Sequence, residues 1–211
     1  MDFERNVFIN CPFDTNYVDL LRPMVFCILA LGFEPRIALE RADGAETRID
    51  KIVELIDESK FGVHDLSRLR AVKTGEYFRL NMPFELGIDY ACRMYRGEPW
   101  ASKRILVLEG KRFELKRALS DLSGSDVEAH ENEPVKICGI VRHWLSQALP
   151  ESAPSPSALW GQFTDFTASN YQDLSEAKWS PQDIEGQPLR ELIKAMRGWL
   201  SSDAVSVAAT A

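Results

Sequence analysis

The sequence predicts a doubly wound α/β fold on three observations. Short β-favouring runs alternate with amphipathic helical stretches about every 25–30 residues, the first run is apolar without alternation, and helix-starting and helix-stopping residues fall between the runs. Val7-Phe8-Ile9 reads as a buried parallel strand that ends in the breaker-rich loop Asn10-Cys11-Pro12-Phe13-Asp14-Thr15-Asn16. From Tyr17 to Leu31 the apolar positions Leu20, Leu21, Met24, Ile28 and Leu31 keep helical spacing, and Gly32 stands where a C-terminal glycine belongs. Phe33 to Leu39 reads as strand two. A helix from about Thr47 to Glu58 follows, with Ile49, Ile52, Val53 and Ile56 expected inward.

Strand three is Phe61-Gly62-Val63-His64-Asp65, and a longer connection from Leu66 to Leu80 leads to a helix from Asn81 to Tyr95. Arg104-Ile105-Leu106-Val107-Leu108 is the clearest strand, a weaker fifth lies near Asp126 to Ala129, and a helix from Glu133 or Pro134 to Leu149 closes the set. Val135, Ile137, Cys138, Val141, Trp144 and Leu145 form that helix's expected apolar side. Parallel strands need crossover helices, and those helices cover both faces of the sheet. Five such units favour the flavodoxin-like order 2-1-3-4-5, whose crevice opens where strands one and three diverge at their carboxyl ends.

The α/β domain is expected over residues 1–149. Residues 150–157, rich in proline and serine, read as a linker, residues 158–203 as a small helical appendage, and residues 204–211 as a frayed tail. A chain of 211 residues suits one domain plus such an addition. Its net charge of −7 argues against extensive nucleic-acid binding, since phosphate-tracking proteins carry a positive footprint. The acidic start Met1-Asp2-Phe3-Glu4-Arg5 is unlike a signal peptide, and no apolar run approaches the ~20 residues of a membrane span. A cytoplasmic protein is expected. Cys11, Cys27, Cys92 and Cys138 are widely spaced, without a CxxC pair or zinc-site histidines, and read as reduced thiols; no metal site is expected.

The informative segment is Asn81-Met82-Pro83-Phe84-Glu85-Leu86-Gly87, placed at a helix start by Pro83 and by Asn81 as candidate cap. That puts Glu85 at the crevice end. On a helical projection Phe84, Ile88, Ala91 and Tyr95 form the expected buried stripe, with Glu85 and Cys92 on its flank. A first-turn glutamate also complements the helix dipole or closes a capping box. Here the box position is Phe84, and the residue four beyond Glu85 is Asp89, which repels it.

Asp65 ends strand three at the switch point, where a carboxylate can hold ribose hydroxyls or serve as a turn residue. His64 should point to the other face as a structural histidine, and His130 and His143 have no partner spacing. The connection after strand three carries Arg68, Arg70, Lys73 and Arg79 against Glu76 alone. It suits a phosphate or a solvated loop. Arg48 opens the second helix at the same end. No P-loop, GxGxxG, HExxH or GxSxG pattern is present, so triphosphatase, dinucleotide redox, zinc protease and serine hydrolase readings lose their anchors.

The remaining pattern is Val-Phe-Ile-Asn-Cys-Pro-Phe-Asp after strand one, Asp65 ending strand three, and Asn-Met-Pro-Phe-Glu-Leu-Gly-Ile-Asp opening the next helix. Over about the first 145 residues it resembles the bacterial TIR-like proteins related to nucleoside 2-deoxyribosyltransferases. The resemblance implies cleavage of an N-ribosyl bond, with Glu85 as the catalytic carboxylate. It implies substrate-binding roles for Pro12 and Phe13, and their neighbour Asp14 joins them in the expected site; Phe13 can stack on a base or nicotinamide ring or equally pack beneath its loop. Arg48, Asp65, Arg68 and Asn81 complete the expected site. The substrate would be NAD or another nucleotide-like compound, no separate cofactor is implied, and an effector role in bacterial antiviral defence is the expected setting. The alternative is a non-catalytic nucleotide-sensing or TIR-like interaction module. Either is expected to form a homo-oligomer or to meet a regulatory partner through the C-terminal helices. A phosphoacceptor receiver domain fits poorly, because strand one ends in Asn10-Cys11 where paired aspartates belong.

Overall fold

A computed structural model describes residues 2–40, 45–68, 70, 71, 74, 75, 77, 80–122 and 124–208. Five strands, β1 (Asn6–Asn10), β2 (Glu34–Ile37), β3 (Phe61–Asp65), β4 (Arg104–Glu109) and β5 (Val127–Ala129), form one parallel sheet in the order β2-β1-β3-β4-β5. The expected topology is the observed one. β1 and β3 are buried at every position because helices cover both faces, which is why neither alternates in polarity.

The helices are α1 (Val18–Ala30), α2 (Arg48–Asp57), α3 (Asn81–Tyr95), α4 (Leu115–Ala118), α5 (Pro134–Ser146), α6 (Pro156–Glu176), α7 (Pro181–Glu185) and α8 (Leu189–Ala208). Gly32 ends α1 at φ +77°, with Gly32 N–H bonded to Leu29 O and Phe33 N–H to Ile28 O. This Schellman turn needs a left-handed residue, which glycine adopts without a Cβ penalty. α2 starts at Thr47, whose hydroxyl accepts from Asp50 N. The tail is helical through Ala208, and residues 209–211 lie outside the described residues. α5 ends at Ser146 and α6 begins at Pro156, capped by Ser155, so the connection covers residues 147–155 and is shifted from the expected 150–157.

α1 and α5 pack on one face of the sheet, and α2 and α3 are also in contact with each other. α6 and α8 lie on α1, where Phe26 meets the rings of Phe163 at 5.6 Å, Phe166 at 5.6 Å and Trp199 at 5.9 Å. Leu159, Phe166, Leu192, Ile193 and Met196 belong to the same hydrophobic cluster as β1 and α1. Each such side chain contributes about 1.5–3 kcal/mol on burial. Much of the apolar surface of the C-terminal helices is therefore buried within the chain.

A second correction concerns α3. Its buried side carries Met82, Glu85, Leu86, Asp89 and Cys92, whereas Phe84 and Tyr95, expected inward, are 62% and 85% exposed. Ile49 and Val53 of α2 are likewise turned out, as is Val135 of α5. The reason is that Asp89 finds buried partners under α3, His64 and Lys103, and Glu85 follows it inward one turn earlier on the same face. The pairing of Asp89 overrides the apolar periodicity. Among the described residues, no helix is long and apolar enough to cross a membrane.

Candidate functional site

The carboxyl ends of β1 and β3 carry the polar cluster. Asn10 closes β1 and donates its amide to Met82 O at 2.9 Å and to His64 Nδ1 at 3.0 Å, which ties the strand end to the first turn of α3. With Nδ1 accepting, His64 keeps its proton on Nε2, which lies 2.9 Å from Asp89 Oδ2. Asp89 Oδ1 in turn lies 3.1 Å from Lys103 Nζ, and His64, Asp89 and Lys103 have no exposed side-chain surface. The expected like-charge repulsion between Glu85 and Asp89 is thus answered from below by a lysine. Asn10 Oδ1 remains a buried acceptor without a hydrogen-bond partner.

Glu85 projects from the first turn of α3 and is 4% exposed, more deeply set than a flanking position would be. Arg48, 56% exposed at the start of α2, places its guanidinium 3.6 Å from Glu85 Oε1. Burial raises the Glu85 pKa above the usual carboxylate value. Arg48, through charge and hydrogen bonding, and His64 pull it partly back. Arg68 reaches Asp14 Oδ1 at 3.1 Å, which joins the loop after β3 to the loop after β1. Between these groups the buried Cys11 thiol is pushed well up by burial and by the charges of Asp65, Glu85 and Asp14, and stays protonated.

Asp65 ends β3 at the switch point, as expected, and its carboxylate is engaged by neighbouring groups. It is fully buried, with Oδ2 2.5 Å from the Tyr17 hydroxyl and 3.0 Å from His130 Nε2, and Oδ1 accepts from Ser67 N at 2.8 Å. Burial alone would raise its pKa, but His130, Ser67 and Tyr17 together hold it below the ordinary aspartate value. A carboxylate so engaged favours its ionised form, and both of its oxygens already have partners within the protein. His130 was not legible as its partner, although its position immediately after β5 put it at the same end of the sheet. Its Nδ1 accepts from Asn132 N at 3.0 Å, so Nε2–H faces Asp65.

The linkage is signed. With its folded pKa below the unfolded ~3.9, Asp65 contributes stability that is fully present above that value and lost as pH falls through the folded pKa. Asp65→Asn is expected to lower stability at neutral pH by about 1–3 kcal/mol. The variant should also show a shallower loss of stability below about pH 4, read as urea midpoints across pH.

Asn81 is exposed, and the residue before α3, Leu80, makes no side-chain cap, so the capping role expected of Asn81 is corrected. Pro12 is buried, and Phe13 is partly buried against the main core, which leaves one part of its ring outward. Arg70 stands 4.0 Å from Glu114, away from the Arg68–Asp14 pair, while Lys73, Glu76 and Arg79 lie outside the described residues. Of the expected site, the structure gathers Glu85 with Arg48 and Asp14 with Arg68 around the β1 loop.

Comparison with known proteins adds no name. No family model, curated protein or solved structure matches this chain. Any functional reading therefore rests on the chemistry of the site, since a fold of this class hosts many unrelated activities. Among the described residues, no group of three His, Cys, Asp or Glu side chains is placed to hold a metal ion. All four cysteines are buried and unbridged.

Proposed function

We propose that the protein cleaves the N-ribosyl bond of NAD or a related nucleotide, with Glu85 as the carboxylate that stabilises the ribosyl cation. The observation that carries this reading is a buried glutamate at the switch point of a doubly wound sheet, with the Arg48 guanidinium 3.6 Å away. As the C1′–N bond breaks, its electron pair leaves with the base and positive charge builds on C1′ and the ring oxygen. A fixed carboxylate in a water-poor pocket stabilises that charge more than a solvated one would. Water then adds to C1′ and releases a proton, or Glu85 first forms a glycosyl ester that water hydrolyses.

The proton inventory favours a cationic leaving group. Cys11 and Tyr17 are both pushed well above their usual pKa values by burial, and the ring N–H of His64 faces Asp89. These groups are poor acids for protonating a departing purine or pyrimidine. Nicotinamide leaves a pyridinium linkage as a neutral molecule and needs no proton. Arg48 and Arg68 would turn to the diphosphate, and the outer part of Phe13 would stack on a ring. An effector role in bacterial antiviral defence follows from the resemblance to TIR-like proteins.

Glu85→Gln is expected to reduce nicotinamide release about 10²–10³-fold with the fold intact. Because the ionised form is the working one and its pKa is raised, the wild-type rate should fall with acid at a pH above that of an ordinary glutamate. Arg48→Met should move that limb higher still. Equal release by Glu85→Gln and wild type would overturn the reading. The Arg48–Glu85 pair, which closes the carboxylate in the free protein, supports a second reading as a nucleotide sensor. Tight NAD binding without release of base would select it.

A further inference from the structure

We infer that the outward face of α3 is a self-association surface, on which a second copy of this chain packs about a two-fold axis. α3 is amphipathic in the inverted sense: its acidic residues, Glu85 and Asp89, point inward, and its outer face carries no charged residue. Phe84 and Tyr95 lie along one side of that face at 62% and 85% exposure, and Tyr90 and Met94 along the other at 52% and 55%. Between them run Gly87 and Ala91, one helical turn apart and both exposed. A Cβ built on Gly87 meets nothing within 4 Å.

The patch continues onto α2. Asp57 is bonded to Arg96 at the end of α3, so the side of α2 that carries positions 49, 53 and 57 borders α3. Ile49 and Val53 are 41% and 43% exposed there. Taking roughly 200 Å² for a large side chain, the exposed fractions sum to about 650 Å² of mostly apolar surface. That exceeds the ~300–600 Å² of the largest patch on an ordinary monomer. It approaches the ~800 Å² that each partner contributes to a standard stable interface.

The chemistry selects a second copy as the occupant. Small residues flanked by large ones make a face complementary to itself, because the large side chains of one copy straddle the Gly87–Ala91 groove of the other. An uncharged centre brings no like charges together, although each chain carries −7. Self-association through α3 requires no catalytic role of Glu85.

Light scattering on the eluting full chain tests this. The wild type is expected at twice the chain mass of 23.9 kDa, and Ala91→Arg at the single mass with an unchanged circular-dichroism spectrum. Tyr95→Asp, at a highly exposed position, gives the same reading should Ala91→Arg fail to fold. Ala91→Cys is expected to form a disulfide-linked dimer under mild oxidation, against a silent background because the four native thiols are buried. A monomeric wild type, a dimer that survives both charge substitutions, or a dimeric Ala91→Cys that does not cross-link would overturn the inference.

Discussion

Lys103→Met is expected to bring the protein close to unfolding at room temperature. The Lys103 side chain is fully buried, and its ammonium donates to Ile56 O at 2.7 Å and to Ser59 O while facing Asp89 Oδ1 at 3.1 Å. Three acceptors therefore share one buried cation. Methionine fills much the same volume but leaves the Asp89 carboxylate without its counter-charge, a loss of about 3–5 kcal/mol for a buried pair. The two carbonyls lose their donor as well. Against a total stability of roughly 5–15 kcal/mol, that is a large share. Urea denaturation followed by circular dichroism reads it directly. Adding Asp89→Leu to Lys103→Met should recover part of the loss, because removal of both charges costs less than stranding one. A midpoint for Lys103→Met within error of the wild type would show that Lys103 contributes nothing net.

Gly62→Ala should be nearly as damaging, although it adds a single methyl group. A Cβ at position 62 would stand 2.1 Å from Asp89 Oδ2 and 3.0 Å from His64 Nε2. Glycine in the middle of β3 is the aperture through which the α3 carboxylate reaches the sheet. Asp89 cannot give way cheaply, because His64 holds one oxygen and Lys103 the other. Overpacking of about 1–3 kcal/mol is thus compounded by a strained ion pair, for a total of about 3 kcal/mol or more. The clash is specific to one partner. In an Asp89→Ala background the added methyl group should cost far less than in the wild type, and a double-mutant cycle measures that coupling. Additive costs would refute the aperture explanation.

The fold was readable because its signals are local. Val7-Phe8-Ile9, the helical spacing from Leu20 to Leu31 and the stop at Gly32 each depend on a few neighbouring residues, and the alternation of strand and helix then leaves few topologies. The placement of the candidate residues was readable for the same reason. Glu85, Arg48, Asp14 and Arg68 sit at element ends that the topology brings to one edge of the sheet.

What remained hidden depends on partners distant in sequence. Asp89 reads as a repulsive neighbour of Glu85 because Lys103 lies 14 residues away in sequence, and the Tyr17 and His130 partners of Asp65 come from distant elements that no local spacing reveals. Periodicity assigned Phe84 and Tyr95 to the core because apolar residues usually go there. It has no means of telling a core face from a face reserved for another molecule.

The packing of α8 on α1 bears on how the chain reaches its folded state during synthesis. Leu192, Ile193 and Met196 complete the cluster around Phe26, and Arg197 bonds to Glu34 at the start of β2, more than 150 residues earlier. A ribosome releasing this chain from its N-terminus therefore delivers β1 to β5 before the helix that covers one flank of α1. Until residues 189–200 emerge, that flank is an open apolar surface on an otherwise assembled sheet, and the nascent protein depends on α8 for closure.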